Sequence, residues 1–457
     1  MPAERRHRHH SRWPARALFA ASAVLLALCL LLGGASRLNG LQLTVLELAS
    51  LPLLGWAVWR ATLDGLWPRL KAPALLLAGL LVIAAIQLVP LPPELWSRLP
   101  GHGASAEALR LAGLEIGWRP LSLTPDLTVG SLLALLPAVA IFLAAVLLRP
   151  SQQAWLAAGV VAFALVSLGL GAVQLVDGKD SAFFLYPFAN RDNAVGLFAN
   201  RNHQAALLVT ALPFAAAAVA VARARGLPSM PLWVALAAVF LLIVPFVVLL
   251  KSRAGVLLLA PSLIASLAIL WPPKALAGGG QGPSRRGLLA LGGVIALGLL
   301  IGGALAFGPL VERFAANEEG RLLSGPVAAR AAWDLMPFGS GLGSFKDVYA
   351  GVEPLEIMAA SYWLHAHNDY LELWLEAGVP ALALILLFLV WWARAGFEAW
   401  RAPAESAQTL ARAGAAVVGL LLIHSLVDYP LRTPAMAAVF ALACGLMASG
   451  ARGSGRS

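Results

Sequence analysis

The residues best suited to chemistry lie in His365–Gly378, HAHNDYLELWLEAG. Two imidazoles, an amide and a carboxylate stand before a helix-like segment that runs into a long apolar stretch. An imidazole at a membrane surface can accept a proton near neutral pH, which makes His367 a candidate general base. His-x-His-x-Asp is also a metal-like string, because two imidazoles and a carboxylate can hold zinc. Side chains at i and i+2 diverge on a helix, so a metal site needs a strand here, and LELWLEAG reads as helix. Asn368 or Asp369 is placed to cap that helix. Glu372 and Glu376 read as helix-surface or loop-anchoring residues.

Other stretches supply cations and hydrogen bonds. Lys251-Ser252-Arg253 packs two basic residues into a three-residue turn between apolar runs. Arginine offers a planar fork to phosphate oxygens and lysine a point charge; the competing reading is a pair that snorkels to water. Asn190-Arg191-Asp192-Asn193 and Asn200-Arg201-Asn202-His203 repeat Asn-Arg. These asparagines can cap a span or bond sugar hydroxyls, and Arg201 adds an anion contact. Arg330-Ala331-Ala332-Trp333 leads into a glycine-rich run, PFGSGLGSF, which predicts a tight turn whose exposed amides can hold an anion. No βα unit surrounds it, which argues against a nucleotide-type phosphate loop. His424 and Asp428 are spaced to share one helical face near the outer end of a span, as a functional or a structural pair. Glu47 is the clear charge inside a span.

The elements that position these residues are membrane helices. The chain is 60% hydrophobic and 12% charged over 457 residues, where a soluble protein carries about 25% charge. Its apolar runs are near 20 residues, enough to cross about 30 Å of hydrocarbon. We read twelve spans: 17–35, 41–59, 72–92, 127–148, 154–176, 204–222, 231–250, 254–272, 287–307, 379–395, 413–430 and 434–450. Residues 1–16 form a basic cytoplasmic tail, followed by an uncleaved first span rather than a signal peptide. Residues 17–307 hold spans one to nine, 308–378 the longest outward loop, 379–450 spans ten to twelve, and 451–457 a second tail. Basic residues crowd the short inward loops, among them Arg60, Arg149, Arg223, Arg225, Lys274, Arg285, Arg401 and Arg412, as the positive-inside rule requires. The net charge of +10 therefore reads as topology rather than nucleic-acid binding. The glycine-rich inward segment 273–286 reads as a flexible linker. Cys29 and Cys444 both fall inside spans and imply neither a disulfide framework nor a metal site.

In order, FANRNHQA, SRAG, RAAW…GSGLGSF, HAHNDYLELWLEAGVP and HSLVDYPLR closely resemble the O-antigen ligase / O-antigen polymerase family, over roughly residues 185–435. The resemblance implies an all-α, GT-C-like membrane enzyme. Its members move an undecaprenyl-diphosphate-linked glycan, at the periplasmic face of the inner membrane, to lipid A–core, to a growing polysaccharide or to protein. It implies His367, Arg253 and Arg330 as the catalytic set. Lys251, Arg201, Asn200, Asn202, Asn368 and Asp369 are the expected substrate contacts. No cofactor and no metal are expected, since no Asp-x-Asp string occurs in the chain. A transporter or lipid-linked glycan flippase is the main competing class, and a non-catalytic envelope scaffold another. Ion-coupled transporters place ionisable groups near the bilayer midplane, whereas here they cluster at the outer ends of the spans.

Overall fold

The computed structural model describes residues 12–36, 40–68, 70–271, 285–315, 319–358 and 363–450. Most of the N-terminal tail, nearly all of the glycine-rich linker and the C-terminal tail lie outside the described residues. Those residues are helical apart from loops and a two-residue antiparallel ladder, β1 (Pro90–Leu91) against β2 (Arg119–Pro120). The helices are α1 (Arg12–Leu32), α2 (Leu41–Leu63), α3 (Lys71–Gln87), α4 (Pro93–Trp96), α5 (Gly103–Leu111), α6 (Pro125–Leu133), α7 (Leu136–Leu147), α8 (Pro150–Asp177) and α9 (Arg201–Ala224). Then come α10 (Ser229–Leu249), α11 (Arg253–Leu270), α12 (Arg285–Ala315), α13 (Glu319–Asp334), α14 (Phe345–Ala350), α15 (Asp369–Arg401), α16 (Ser406–His424) and α17 (Pro434–Gly450).

Eight helices, with α6 and α7 taken as one, are long and apolar enough to cross a membrane. Four shorter apolar helices, Arg16–Leu32, Lys71–Gln87, Leu289–Leu305 and Pro434–Gly450, occupy the remaining stretches read as spans. One boundary moves in a way that matters. The eleventh predicted span extends to 430, but α16 stops at His424. Pro430 cannot donate to a helix ladder and its ring disfavours helical backbone just before it, so 425–433 is a turn. The 308–378 segment is also more structured than a loop, holding α13, α14 and the start of α15.

The bundle is organised around α9. Every residue from His203 to Ala217 is buried, and α9 touches α8, α10, α11 and α16. Its run of alanines lets neighbouring backbones approach, which is how helices associate where lipid removes any hydrophobic advantage. Hydroxyls in and against it bond to helix carbonyls, as polar groups without water must, whereas the ring nitrogens of buried His203 and the Gln204 Nε2 have no hydrogen-bond partner. Thr210 Oγ1 donates to the Ala206 carbonyl at 2.8 Å, and Ser262 Oγ donates to that of Val209 at 2.6 Å.

The glycine-rich turn after α13 does not hold an anion. Its amides are consumed by the chain: Ser340 N–H donates to Leu375 O at 3.1 Å, Gly341 N–H to Glu376 O at 2.9 Å, and Leu342 N–H to Gln87 Oε1 at 3.0 Å. The turn is a clasp on α15, which breaks helical geometry at Gly378 with φ 58° and ψ −142°. A Cβ at 378 would collide with the Pro337 carbonyl. Gly378→Val is therefore expected to cost about 1–3 kcal/mol, read as a lower melting temperature in detergent and lower membrane abundance. Unchanged melting would mean that the kink tolerates an L side chain.

Candidate functional site

Three helices begin at the same end of the bundle, each capped by a residue from a motif named above. Asn200 caps α9 through Asn202 N–H, Ser252 caps α11 through Gly255 N–H, and Asn368 caps α15 through the N–H groups of Tyr370 and Leu371. An N-cap oxygen satisfies donors that the helix leaves orphaned. Each cap also fixes the next residue on the first turn. Arg201, Arg253 and Asp369 are thereby set at three helix N-termini, whose dipoles favour negative charge. Lys251, just before the α11 cap, takes the left-handed conformation at φ 53°.

One polar chain joins these starts. Ser252 Oγ donates to Asn202 Oδ1 at 2.8 Å, and Asn202 Nδ2 donates to Asp428 Oδ2. Asp428 Oδ1 faces His367 Nδ1 at 3.1 Å and accepts the Tyr429 N–H at 3.0 Å. Burial alone would raise the Asp428 carboxyl. The hydrogen bond from His367 and the charges of the surrounding histidines instead hold it below the usual carboxylate range. An ionised carboxylate only accepts, so His367 Nδ1 is the donor in this pair, and in the neutral ring Nε2 carries the lone pair. His367 is 19% exposed, whereas Asp428 is buried. Its ring stands edge-on to Trp363 at 5.5 Å and to Tyr429 at 4.8 Å, and its backbone is left-handed at φ 51°. The arrangement is a partly exposed imidazole with a buried carboxylate behind it, the geometry a general base requires.

A second polar cluster lies beside the first. Arg432 meets Asp369 at 3.6 Å, Glu372 at 3.5 Å and Glu376 at 3.0 Å. Burial opposes the Arg432 charge, but the three carboxylates more than offset this and raise its affinity for its proton. Glu372 also binds His365 Nδ1 at 2.8 Å and the Ala366 N–H at 2.9 Å. Asp369 accepts Ser425 Oγ at 2.7 Å, and its N–H donates to the Ser425 carbonyl.

Several sequence expectations are redistributed. His365 and His367 turn to different acids, which separates the two imidazoles of the metal-like string. Asn200 and Asn368 are committed as caps, Asn202 to Asp428, and Asp369 to Ser425 and Arg432. Arg201 Nη1 donates to Asn193 Oδ1, and Arg253 and Lys251 are half-buried beside the Ser252–Asn202 contact. Arg330 is not brought into this group. Its side chain is 80% exposed on α13 and pairs with Asp334 at 3.5 Å. Glu372 and Glu376 are buried anchors rather than helix-surface residues. Asp428 turns to His367, not to His424, because the helix that would have aligned that pair ends at His424. Local spacing alone does not mark Arg432 or Tyr429. Asp369, Glu372 and Glu376 recur on one helical face, and three acids beside apolar spans require a cation; that was the available signal.

The fold and site together define a polytopic helical membrane protein with a hydrogen-bonded imidazole–carboxylate pair at one end of its bundle. Residues 236–386 match the family model described as O-antigen ligase. The match spans Lys251, Arg253, Arg330 and His367 and excludes Asn202, Asp428 and Arg432. No curated protein matches the chain.

Proposed function

We propose that this protein is an inverting, metal-independent glycosyltransferase. It takes an undecaprenyl-diphosphate-linked glycan and transfers it to an acceptor hydroxyl at the periplasmic face of the inner membrane. The acceptor is lipid A–core or a growing polysaccharide. The reading is carried by one observation: His367, backed by Asp428, is tied through Asn202 to the Ser252 turn that bears Lys251 and Arg253. A base and a cationic turn at two helix N-termini are what this transfer needs.

In the step itself, His367 Nε2 takes the acceptor O–H proton as that oxygen bonds to the anomeric carbon. The bond from that carbon to the phosphate oxygen breaks on the opposite face, and its electron pair leaves on the lipid diphosphate. Lys251, Arg253 and the N-termini of α9 and α11 stabilise the charge that develops there. Arg330 and Trp333, both exposed on α13, contact the glycan. The lipid chain has a place as well. A cavity of about 380 Å³, almost wholly apolar, runs between α3, α15, α16 and α17 and reaches Asp369, Tyr370 and Ser425.

The test is transfer by purified protein in bilayers supplied with the lipid-diphosphate glycan and each acceptor in turn. Arg253→Ala is expected to lower kcat about 10²–10³-fold, the scale of losing one charge-stabilising donor. A chelator is expected to leave the rate unchanged. Loss of activity in the chelator, restored by zinc or magnesium, would overturn the metal-free mechanism. Full activity of Arg253→Ala would remove the cationic turn from it.

A further inference from the structure

We propose that Arg432 is a positioning residue for His367, acting through Glu372. Its consequence for rate rests on the transferase reading above; its geometry does not. Arg432 spans three acids on one face of the first turns of α15, with Nε toward Asp369, Nη1 toward Glu372 and Nη2 toward Glu376. A planar fork meeting three carboxylates fixes orientation as well as distance, which a lysine point charge cannot do.

Glu372 passes that constraint on. Its two oxygens take His365 Nδ1 and the Ala366 N–H, the two residues immediately before His367. Both oxygens accept best while the carboxylate is ionised, and Arg432, 3.5 Å away, is the foremost of the groups that favour that form. His367 itself sits in a left-handed backbone conformation that L residues rarely adopt, so its neighbours must hold it there.

The same arginine fixes the other half of the pair. It closes the short 3₁₀ turn Pro430–Arg432, one turn beyond Asp428 and Tyr429. The Tyr429 ring lies 4.3 Å from His365 and 4.8 Å from His367. Asp369 adds a second tie between the segments through Ser425. Arg432 therefore locks the segment carrying the base to the segment carrying its acid. Its nitrogens face carboxylates of the protein, which leaves it a role behind His367 rather than against substrate.

The experiment uses the full-length protein in nanodiscs with four variants: Arg432→Gln, Arg432→Lys, Glu372→Gln and Glu376→Gln. Three quantities are read: kcat and KM for transfer, hydrogen exchange across residues 363–369, and the rate at which diethyl pyrocarbonate labels His367. Arg432→Gln is expected to lower kcat about 10²-fold, the effect of displacing a reacting group by roughly 1 Å. KM is expected to stay within about twofold, because the lost interaction acts only on the chemical step. Exchange across 363–369 and labelling of His367 both rise. Glu372→Gln reproduces this pattern, Arg432→Lys rescues it only partly, and Glu376→Gln, which removes the closest of the three contacts but leaves Arg432–Glu372 in place, gives a smaller change in the same direction.

If Arg432→Gln does not fold, the Lys and Glu372 variants carry the same comparison. A rate that falls only with the amount of folded protein, with exchange across 363–369 unchanged, overturns the proposal. So does a rise in donor KM at constant kcat, which would make Arg432 a substrate ligand. If the wild type transfers no glycan while exchange and labelling respond as expected, the transferase reading fails and the locking role of Arg432 stands.

Discussion

His367→Ala is expected to lower transfer about 10²–10⁴-fold, the range supplied by a positioned general base. The argument rests on which nitrogen is available. Asp428 is buried and held below the usual carboxylate range, so it accepts from Nδ1 and leaves Nε2 as the proton acceptor. An alanine removes that acceptor and leaves the surroundings largely intact. Asp428 keeps the Asn202 amide and the Tyr429 N–H as donors, and the Asn368 cap of α15 does not involve the ring. Stability should fall by about 1.5–3 kcal/mol, the net value of a hydrogen bond to a charged group. Single-turnover transfer and thermal melting of the same preparation separate the two effects. A rate within threefold of wild type would show that another group takes the proton.

The transmembrane architecture was legible because an apolar run of about 20 residues has one physical reading in a chain so poor in charge. What moved were ends: α16 stops six residues short of its expected limit, and α15 begins inside the predicted loop. Helix periodicity is a local signal: it offers Asn368 or Asp369 as the cap, and Asn368 is the one that serves. Local spacing failed where the partner was remote. Asp428 was paired with His424 by i,i+4 spacing, yet its partners are His367, 61 residues away, and Asn202, 226 away. The glycine-rich turn failed for a related reason. Its composition announces free backbone amides, but nothing local says that Leu375, Glu376 and Gln87 will consume them. Arg330 was grouped with Arg253 by motif order, and motif order does not say which face of α13 the side chain takes.

Asp428→Asn is expected to reach a loss in rate of up to about 10⁴-fold, the upper scale for removing an acid that orients a catalytic histidine. The amide nearly preserves volume and removes charge, so the effect comes from hydrogen-bond polarity. If the new Nδ2 faces His367, Nδ1 must accept, the ring proton moves to Nε2, and the base is lost. If the new Oδ1 faces His367 instead, Nδ2 points at the Asn202 amide, donor against donor. Neither arrangement satisfies both neighbours while Asn202 keeps its bond from Ser252. The pH dependence of stability follows from the depressed native titration of Asp428. A carboxylate favoured in the folded state stabilises it above its unfolded value, about pH 3.9, and that stability is lost as pH falls toward the folded value. Wild type should therefore melt above Asp428→Asn near neutral pH. The margin should shrink on acidification below about pH 4, where the wild-type carboxylate takes up a proton and loses the charge that the amide already lacks. Melting curves of both proteins across that range decide it. A margin that vanishes at neutral pH would mean that Asp428 is not held ionised by His367 and its neighbours, and the base would then need another orienting group.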